Sequence, residues 1–401
     1  MTVSTAYGTD PSPPDFSHIA PPRSQTRELA IRFSGSGSEY FRIWIVNLLL
    51  TLVTLTVYYP WAKVRRLRYF YGNTVIDGQP LGFHANPRKV LRGYLLVGLM
   101  LVLYSVASRV SAVGGLAAFV IVAAIWPALL KSTIQFRLAN TSWRGLRLRF
   151  TGDLAGAYRA TLPWFVPGFL ILLPIALLGE SPEQPPAWFG IVGGLAGLAM
   201  MMLFPLLWWS LKKYQHDHFA YGPLVTQLRT GPGSFYVVAL KTLGLALLAV
   251  LSVGVVIAAI GGASLGLLKS THGAARLGAI IAFAIVAYVA LILVAIGVRP
   301  YLTARMQNLL WSRTGNRSFH FNSALRFRSL FGLTLKNWLL VVLTLGLYWP
   351  FAAVALARLR LEAMSIATRV DPQTVAAEAG VHEGEAAGDA AGDLFGLDIG
   401  F

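Results

Sequence analysis

The residues of this chain that could carry out chemistry are few, and the most promising group is His216-Asp217-His218. Imidazole and carboxylate groups are common metal ligands, but side chains at positions i and i+2 of a helix do not face each other. The group also follows Lys212-Lys213 at the end of an apolar segment, where we expect solvated polar residues. The chain has no cysteine and no Gly-x-x-x-x-Gly-Lys-Ser/Thr phosphate loop. We therefore predict no catalytic residue, no metal and no cofactor, and a protein that is not an enzyme.

Polar side chains within the long apolar segments of the chain are the next candidates. Asn47 and Thr51 lie in the first segment, Asn337 and Thr344 lie in the last, and no segment contains Asp or Glu. Carriers coupled to protons or sodium usually hold an acid inside the membrane, so this absence disfavours that class. Two interpretations remain open: the four residues join helices by hydrogen bonds, or they form a polar lining where the two chain ends meet. We expect Asn47 and Asn337 to bond each other or equivalent backbone groups, since a buried amide needs a partner.

A run of aromatic and basic residues follows the first apolar segment at residues 61–71. Similar runs occur in RNA-binding proteins, but beside an apolar segment the headgroup layer of a membrane is the better match. There each cation gains about 1 kcal/mol from anionic lipid. We predict that the lipid bilayer is the partner and that nucleic acid is not, while no protein partner is indicated. The candidate contacts to anionic headgroups are Lys63, Arg65, Arg66 and Arg68.

The elements that position these residues must suit a membrane. Of 401 residues, 55% are hydrophobic and 13% charged, against about 25% charged in a typical soluble domain. Eight stretches contain no charged side chain, and most are long enough to cross a membrane as a helix. They are residues 43–62, 93–108, 110–130, 160–179, 184–211, 242–268, 277–298 and 337–357. We predict a mainly α-helical, polytopic membrane protein in which six to eight of the eight hydrophobic segments span the bilayer.

The basic residues indicate the orientation of the protein. The net charge is +17, and most Lys and Arg residues lie in the four long connections between segments. These connections are residues 63–92, 131–159, 212–241 and 299–336. Loops rich in Lys and Arg stay in the cytoplasm, so we predict a multi-pass plasma-membrane protein with cytoplasmic basic links.

A short pattern recurs near the end of five segments, where an aromatic residue or Arg precedes proline. The five prolines are Pro60, Pro127, Pro205, Pro300 and Pro350. Asn-Thr, Gly and Phe recur in part at fixed distances beyond them, which indicates an internal repeat of span, proline and link. Period-two alternation in the links, together with the dipeptide Asp77-Gly78, predicts short cytoplasmic β-hairpins.

The first and last copies of this unit are the most alike, and their identical residues lie 337 − 47 = 290 positions apart, as in Asn47 and Asn337. If all eight segments crossed, Pro60 and Pro350 would lie on opposite sides of the membrane. Inverted repeats of that kind occur in transporters. Alternatively, the terminal segments are re-entrant, broken near residues 54–56 and 344–346, which leaves six spans and two cytoplasmic tails. The sequence leaves both topologies open.

Composition divides the chain into three regions. Residues 1–32 begin with several prolines and are predicted to be a flexible tail. Residues 33–367 form the membrane domain built from the repeated units. Residues 368–401 contain acidic residues among Ala and Gly and are predicted to be an acidic, disordered tail.

Two motifs near the N-terminus are distinctive. They are Phe33-Ser34-Gly35-Ser36-Gly37-Ser38-Glu39-Tyr40-Phe41 and Tyr59-Pro60-Trp61-Ala62-Lys63-Val64-Arg65-Arg66. Both resemble the YjgN-like family of bacterial inner-membrane proteins, and the resemblance extends over about residues 30–367. It implies a multi-pass inner-membrane protein of a Gram-negative bacterium, with no established activity or site residues. The family's Leu-Thr-Leu-Gly is intact at residues 343–346, whereas Thr56 replaces its glycine in the first copy.

Two classes of function agree with these features. The first is an envelope scaffold or regulatory membrane protein, which the lack of membrane acids and the two tails favour. The alternative is a conduit or transporter for a small or lipid-like solute, which internal repeats and proline-broken helices favour. A polar path between the duplicated terminal units would support the conduit, and closed apolar packing there would support the first class.

Overall fold

Helices account for most of the computed structural model, which describes residues 26–178, 187–270 and 274–385. Twelve α-helices occur in these residues, and five of them are long. The long helices are α3 (Pro87–Val110), α4 (Ala112–Ala139), α7 (Ala187–His216), α8 (Pro232–Ser270) and α9 (Ala274–Trp311). The others are α1 (Gly37–Val53), α2 (Tyr59–Gly72), α5 (Leu154–Thr161), α6 (Val166–Leu178), α10 (Phe327–Leu343), α11 (Trp349–Glu362) and α12 (Pro372–Glu385).

Five helical stretches of the described residues are long and apolar enough to cross a membrane. They are Pro87–Val110, Ala112–Ala139, Leu154–Leu177, Trp188–His216 and Pro232–Val255. At most 22% of the apolar part of any one of them is buried inside the protein. Outward-facing apolar side chains on helices are what a lipid environment requires. The chain is therefore a mostly helical protein with the properties of a membrane protein.

Eleven short strands lie between the helices. They are β1 (Arg27–Phe33), β2 (Thr74–Ile76), β3 (Gln79–Phe83), β4 (Thr141–Trp143), β5 (Leu146–Phe150), β6 (Phe219–Tyr221), β7 (Leu224–Val225), β8 (Gln227–Leu228), β9 (Thr314–Gly315), β10 (Phe319–Ser323) and β11 (Met364–Thr368). All belong to one antiparallel sheet with the order β7-β6-β5-β4-β3-β2-β1-β11-β10-β9-β8. The sequence indicated short hairpins within individual links, whereas here the strands of successive links also pair with one another.

The sheet is nearly closed into a barrel. Its two edge strands, β7 and β8, are separated along the chain by Thr226 alone. The Thr226 amide donates to the carbonyl of Phe219 at 2.8 Å, and the Arg229 amide donates to the carbonyl of Arg313 at 2.8 Å. Residues 224–228 thus connect the two edges of the sheet. Closure explains why the hairpins do not stay separate, because it leaves few unpaired N–H and C=O groups at strand edges.

The two ends of the described chain meet in the middle of the strand order. Strand β1 pairs with β11, with Leu29 opposite Ile366. Residues 27–32, which we predicted to be part of a flexible tail, therefore belong to the sheet. The physical reason is that alternate residues of β1 are apolar and become buried there. The predicted C-terminal tail also differs, since α12 occupies Pro372–Glu385. Residues 1–25 and 386–401 of the two predicted tails lie outside the described residues.

The helix pairs α1–α2 and α10–α11 are broken at equivalent turns. Leu55 and Thr56 have φ of +46° and +72°, and Leu345 and Gly346 have φ of +49° and +94°. The turn therefore has the same backbone form in both copies, although the first has threonine where the second has glycine. A positive φ is unfavourable for a β-branched residue. Both turns are apolar and exposed, with Leu55 at 85% and Leu345 at 94% exposure.

Candidate ligand chamber

The inner face of the nearly closed sheet surrounds a cavity of about 540 Å³, which we call the chamber. Strands β1 to β7, β10 and β11 contribute to its wall, together with α9, α11 and α12. The wall is mostly apolar and includes Leu29, Ile31, Trp143, Trp311 and Ile366. Small-molecule sites typically enclose about 300–1,000 Å³, so the chamber has the size of a ligand site.

Alternation along the strands explains the apolar interior. On β5, Leu148 lines the chamber and its neighbour Arg147 is exposed. On β10, Phe319 and Phe321 line the chamber while His320 between them is exposed. Successive side chains of a strand point to opposite faces of a sheet. The period-two patterns in the links thus place apolar groups inside the barrel and polar groups outside it.

Most polar groups on the chamber wall bond to the protein's own backbone. The indole of Trp143 donates to the carbonyl of Ile76 at 3.4 Å, and the Tyr221 hydroxyl donates to the carbonyl of Trp143 at 3.4 Å. The hydroxyls of Thr74 and Thr368 also donate to main-chain carbonyls. Burial raises the pKa of Tyr221 to about 12, so this phenol stays neutral near pH 7. These polar groups already donate hydrogen bonds to the backbone, so they offer few further hydrogen bonds to a ligand.

Arg360 differs from the rest of the wall because it is the one charged residue among the described residues that line the chamber. Its Nε donates to Gln307 Oε1 at 2.8 Å, and Gln307 Nε2 donates back to the carbonyl of Arg360 at 2.9 Å. Gln307 is buried, with 5% exposure. Arg360 itself is exposed as a residue, yet partial desolvation beside the apolar wall lowers its pKa. No acidic side chain of the described chain forms an ion pair with it.

Helix α12 covers part of the chamber. Pro372 and Val375 of this helix line the chamber, and Val375 belongs to the buried apolar core of the barrel. Arg144 links the helix to the sheet: its Nη1 donates to Gln373 Oε1 at 2.6 Å, and its Nη2 pairs with Asp77 Oδ2 at 2.7 Å. We call the contacts among Arg144, Asp77 and Gln373 the latch. They hold α12 against the turns that join β2 to β3 and β4 to β5.

The structure places the predicted polar residues within the terminal helix pairs and away from the chamber. Asn47 Nδ2 lies 3.5 Å from the carbonyl oxygen of Ala62, and Asn337 Nδ2 lies 3.4 Å from that of Ala352. Both Oδ1 atoms are buried without a hydrogen bond among the described atoms. Each asparagine therefore contacts the return helix of its own pair at an equivalent carbonyl.

Two threonines accompany these asparagines. Thr51 donates to the carbonyl of Asn47 at 2.6 Å, four residues back in its own helix. Thr344 donates to the carbonyl of Leu340 at 2.7 Å and accepts from the amide of Tyr348 at 2.9 Å, which bridges the break between α10 and α11.

The four predicted lipid contacts on α2 have two different environments. Lys63 is buried at 6% exposure, and its ammonium lies 5.5 Å from the centre of the Tyr94 ring. It differs from the prediction because it faces the protein interior. The other three, which we call the α2 arginines, are exposed: Arg65, Arg66 and Arg68.

The five repeat prolines lie in helices that each lead into a strand. Pro60 and Pro350 lie in the first turn of α2 and α11, and Pro127, Pro205 and Pro300 lie inside α4, α7 and α9. The Asn-Thr pairs that follow end their helices with side-chain hydrogen bonds. Asn73 and Asn140 each donate to the carbonyl four residues earlier, at 2.9 Å and 2.8 Å. Such bonds satisfy carbonyls that a helix end leaves free.

The His216-Asp217-His218 group is structural. His216 is buried and bonds to Thr314 Oγ1 at 2.9 Å. We predicted a solvated side chain here, and that prediction was wrong for His216. Asp217 accepts from Lys213 and from the amide of Leu228, and His218 bonds to the carbonyl of Tyr214. Within the described part of the chain, no cluster of three metal-ligating side chains is present.

One sequence pattern of enzymes occurs at residues 262–266, where Gly262-Ala263-Ser264-Leu265-Gly266 has the Gly-x-Ser-x-Gly spacing. A serine nucleophile of this kind lies on a sharp strand-to-helix turn. These five residues lie within α8 instead. The local backbone therefore lacks the turn that such a nucleophile requires.

Sequence reasoning missed Arg360 and Gln307. Arg358 and Arg360 lie two residues apart in the same helix, and nothing in their local pattern separates them. Arg358 donates to the carbonyl of Gly35, whereas Arg360 faces the chamber. The only signal was the helical spacing of Ala357, Arg360 and Leu361, which puts one charge on an otherwise apolar face.

Comparison with known proteins shows which family the chain matches. Residues 28–394 match the family described as "Bacterial protein of unknown function (DUF898)". The chain is also similar to two proteins named inner membrane protein YjgN. It is 32% identical to that of Salmonella typhimurium over 149 residues, which are 36% of each chain. It is 28% identical to that of Escherichia coli K12 over 143 residues, which are 35% of this chain and 34% of the relative.

These alignments span about a third of the length of the curated relatives, and no solved structure matches the chain. The relatives are inner-membrane proteins, in agreement with the apolar helices of this chain and with its resemblance to YjgN. The family match covers most of the sequence, from β1 to beyond α12. The chain therefore belongs to the DUF898 family of bacterial proteins of unknown function.

Proposed function

We propose that this protein is a regulatory membrane protein that binds a lipid-like molecule in its chamber at the cytoplasmic surface of the inner membrane. The observation that carries the proposal is the half-open, apolar chamber of about 540 Å³ within a barrel formed from the four basic links together with β1 and β11. An apolar site next to a bilayer favours ligands with a hydrocarbon part, because burial of apolar surface is the main source of their affinity.

The proposed topology has six spans and two re-entrant helix pairs. Strand β1 precedes α1 and strand β2 follows α2, and the two strands pair, with Ile31 opposite Ile76. Strands β10 and β11 flank α10 and α11 in the same way and also pair. Each terminal helix pair must therefore leave the barrel and return to the same side. A single crossing by the first or last segment is incompatible with that pairing, which supports the re-entrant alternative.

The pairing of the remaining strands supports an even number of crossings elsewhere. Strands β3 and β4 flank α3 and α4, β5 and β6 flank α5 to α7, and β8 and β9 flank α8 and α9. All four basic links then lie on one side of the membrane. The excess of Lys and Arg in the links supports a cytoplasmic barrel, and the exposed α2 arginines are suitably placed for anionic headgroups.

Packing between the terminal units supports a binding protein over a conduit. Phe41 of α1 packs on Phe351 of α11, with ring centres 5.7 Å apart. The ring of Phe351 also lies close to Gly37, where an added Cβ would be 2.5 Å from it. These contacts are apolar and close, whereas a conduit at this place needs a polar path. The asparagines Asn47 and Asn337 bond within their own helix pairs.

Photocrosslinking with a neutral probe tests the proposal. A fatty alcohol that carries a diazirine would be added to the full chain in nanodiscs of phosphatidylcholine, and crosslinked peptides would be identified by mass spectrometry. We expect crosslinks on β10 and β11 in the chamber wall. Ala357→Phe, which fills part of the chamber, should reduce them, whereas Ala117→Phe on an exposed face of α4 should not. Crosslinks confined to the outer faces of the helices would refute the proposal.

A further inference from the structure

We propose that the ligand of the chamber is an amphipathic anion, whose carboxylate or phosphate binds Arg360 while its hydrocarbon chain lies along the apolar wall. This inference rests on the proposed function and adds the headgroup chemistry of the ligand. The anionic group would bind at Arg360, whose side chain is held in position by Gln307.

The orientation of Arg360 is fixed by a reciprocal pair of hydrogen bonds. Gln307 uses its oxygen to accept from Arg360 Nε at 2.8 Å and its nitrogen to donate to the Arg360 carbonyl at 2.9 Å. This arrangement occupies Nε and leaves Nη1 and Nη2 without a hydrogen bond to the described residues. Two terminal N–H groups of a guanidinium match the two oxygens of a carboxylate or phosphate.

The charge environment also favours an anion. Arg360 lines the chamber but is exposed as a residue, so its guanidinium is only partly desolvated and is accessible to an anion. The described acids that form ion pairs with basic side chains are Asp77 and Asp217, and their partners are Arg27, Arg144 and Lys213. None of these pairs involves Arg360. A bound anion would supply a countercharge beside the mostly apolar wall, where an ion pair is less screened than in open water.

The rest of the wall suits a hydrocarbon chain. The remaining polar side chains that line the chamber, such as Trp143 and Tyr221, donate to backbone carbonyls. A ligand with several polar groups would therefore find few partners beyond Arg360. One anionic group at one end of an apolar molecule matches this distribution.

The experiment compares three molecules with the same chain: dodecanoate, dodecyl phosphate and 1-dodecanol. Each would compete with the diazirine fatty alcohol for crosslinking to the full chain in phosphatidylcholine nanodiscs, at a pH at which the acids are ionised. We expect both anions to compete better than dodecanol in the unchanged protein. Arg360→Met should weaken the anions by about fivefold to tenfold and leave dodecanol unchanged. The two anions distinguish a carboxylate ligand from a phosphate ligand.

Matched variants separate charge from folding. Arg147→Met removes an exposed arginine on the outer face of β5 and should have no effect. Arg360→Gln gives a second neutral variant should the methionine variant fail to fold, and Arg360→Lys should retain the preference for anions. Equal competition by all three molecules in the unchanged protein would refute this inference but leave the proposed function standing. Equal weakening of all three by both neutral variants would also refute it, whereas absence of chamber crosslinks would refute the proposed function.

Discussion

The latch gives a direct test of how α12 is held over the chamber. Arg144 has φ of +51° in the turn between β4 and β5, a conformation that asparagine tolerates well. Arg144→Asn therefore keeps the turn favourable while it removes a side chain long enough to reach Gln373. The lost bond to Gln373 is exposed, so we assign it about 1 kcal/mol, which is below the range for buried hydrogen bonds to charged groups. The partly buried pair with Asp77 adds about 1 kcal/mol, because Asp77 retains Arg27 as a partner.

Hydrogen exchange measured by mass spectrometry would report this loss locally. A fall of about 1 kcal/mol in the free energy of opening α12 makes its amides exchange about fivefold faster. Peptides from β9 and β10, which pair with none of the strands β2 to β5, should keep their exchange rates. Arg147→Gln, which removes the same charge from the exposed face of β5, serves as the control. Unchanged exchange in α12 would show that the apolar contacts of Val375 and Ala376 hold the helix without the latch.

Three further experiments test the terminal helix pairs. Thr56→Gly should raise the free energy of unfolding by up to about 1 kcal/mol, and Gly346→Thr should lower it by about 1–2 kcal/mol, because only glycine accepts a positive φ without cost. Thermal unfolding in detergent measures both variants, and equal destabilisation by the two would contradict the explanation. The losses in free energy of unfolding caused by Asn47→Leu and Asn337→Leu should add within about 0.5 kcal/mol in a double-mutant cycle, because each amide bonds within its own helix pair. A larger coupling would mean that the two sites interact. Replacing all three α2 arginines with glutamine should remove about 3 kcal/mol of attraction to anionic nanodiscs, and an unchanged affinity would exclude them as lipid contacts.

Local signals in the sequence were sufficient for several elements. Period-two alternation marks β5 and β10, which are strands at those positions. The breaks expected near residues 54–56 and 344–346 coincide with turns that contain positive φ values. In each case the information lies within a few residues, since side-chain alternation and helix interruption are properties of the local backbone.

The site could not be predicted in the same way because it depends on contacts between distant residues. The chamber exists only where β1 meets β11 and where residues 224–228 join the two edges of the sheet. Period-two patterns predict which residues share a face but not which strands are neighbours. Helical spacing places Arg360 on one face with Ala357 and Leu361, but only the packing of α11 against the sheet brings that face to the chamber.

The pairing of β1 with β11 brings the two similar chain ends together. The unit that begins with β1 and the unit that ends with β11 are adjacent in the barrel, and their helix pairs contact each other through Phe41 and Phe351. Leu29 from the first strand and Ile366 from the last line the same chamber. The proposed ligand site therefore depends on both ends of the membrane domain, although more than 330 residues separate these two wall residues (366 − 29 = 337). A fragment that lacks either strand would leave new unpaired edges in the sheet and open the chamber wall, so the binding site belongs to the whole ring and not to any single repeated unit.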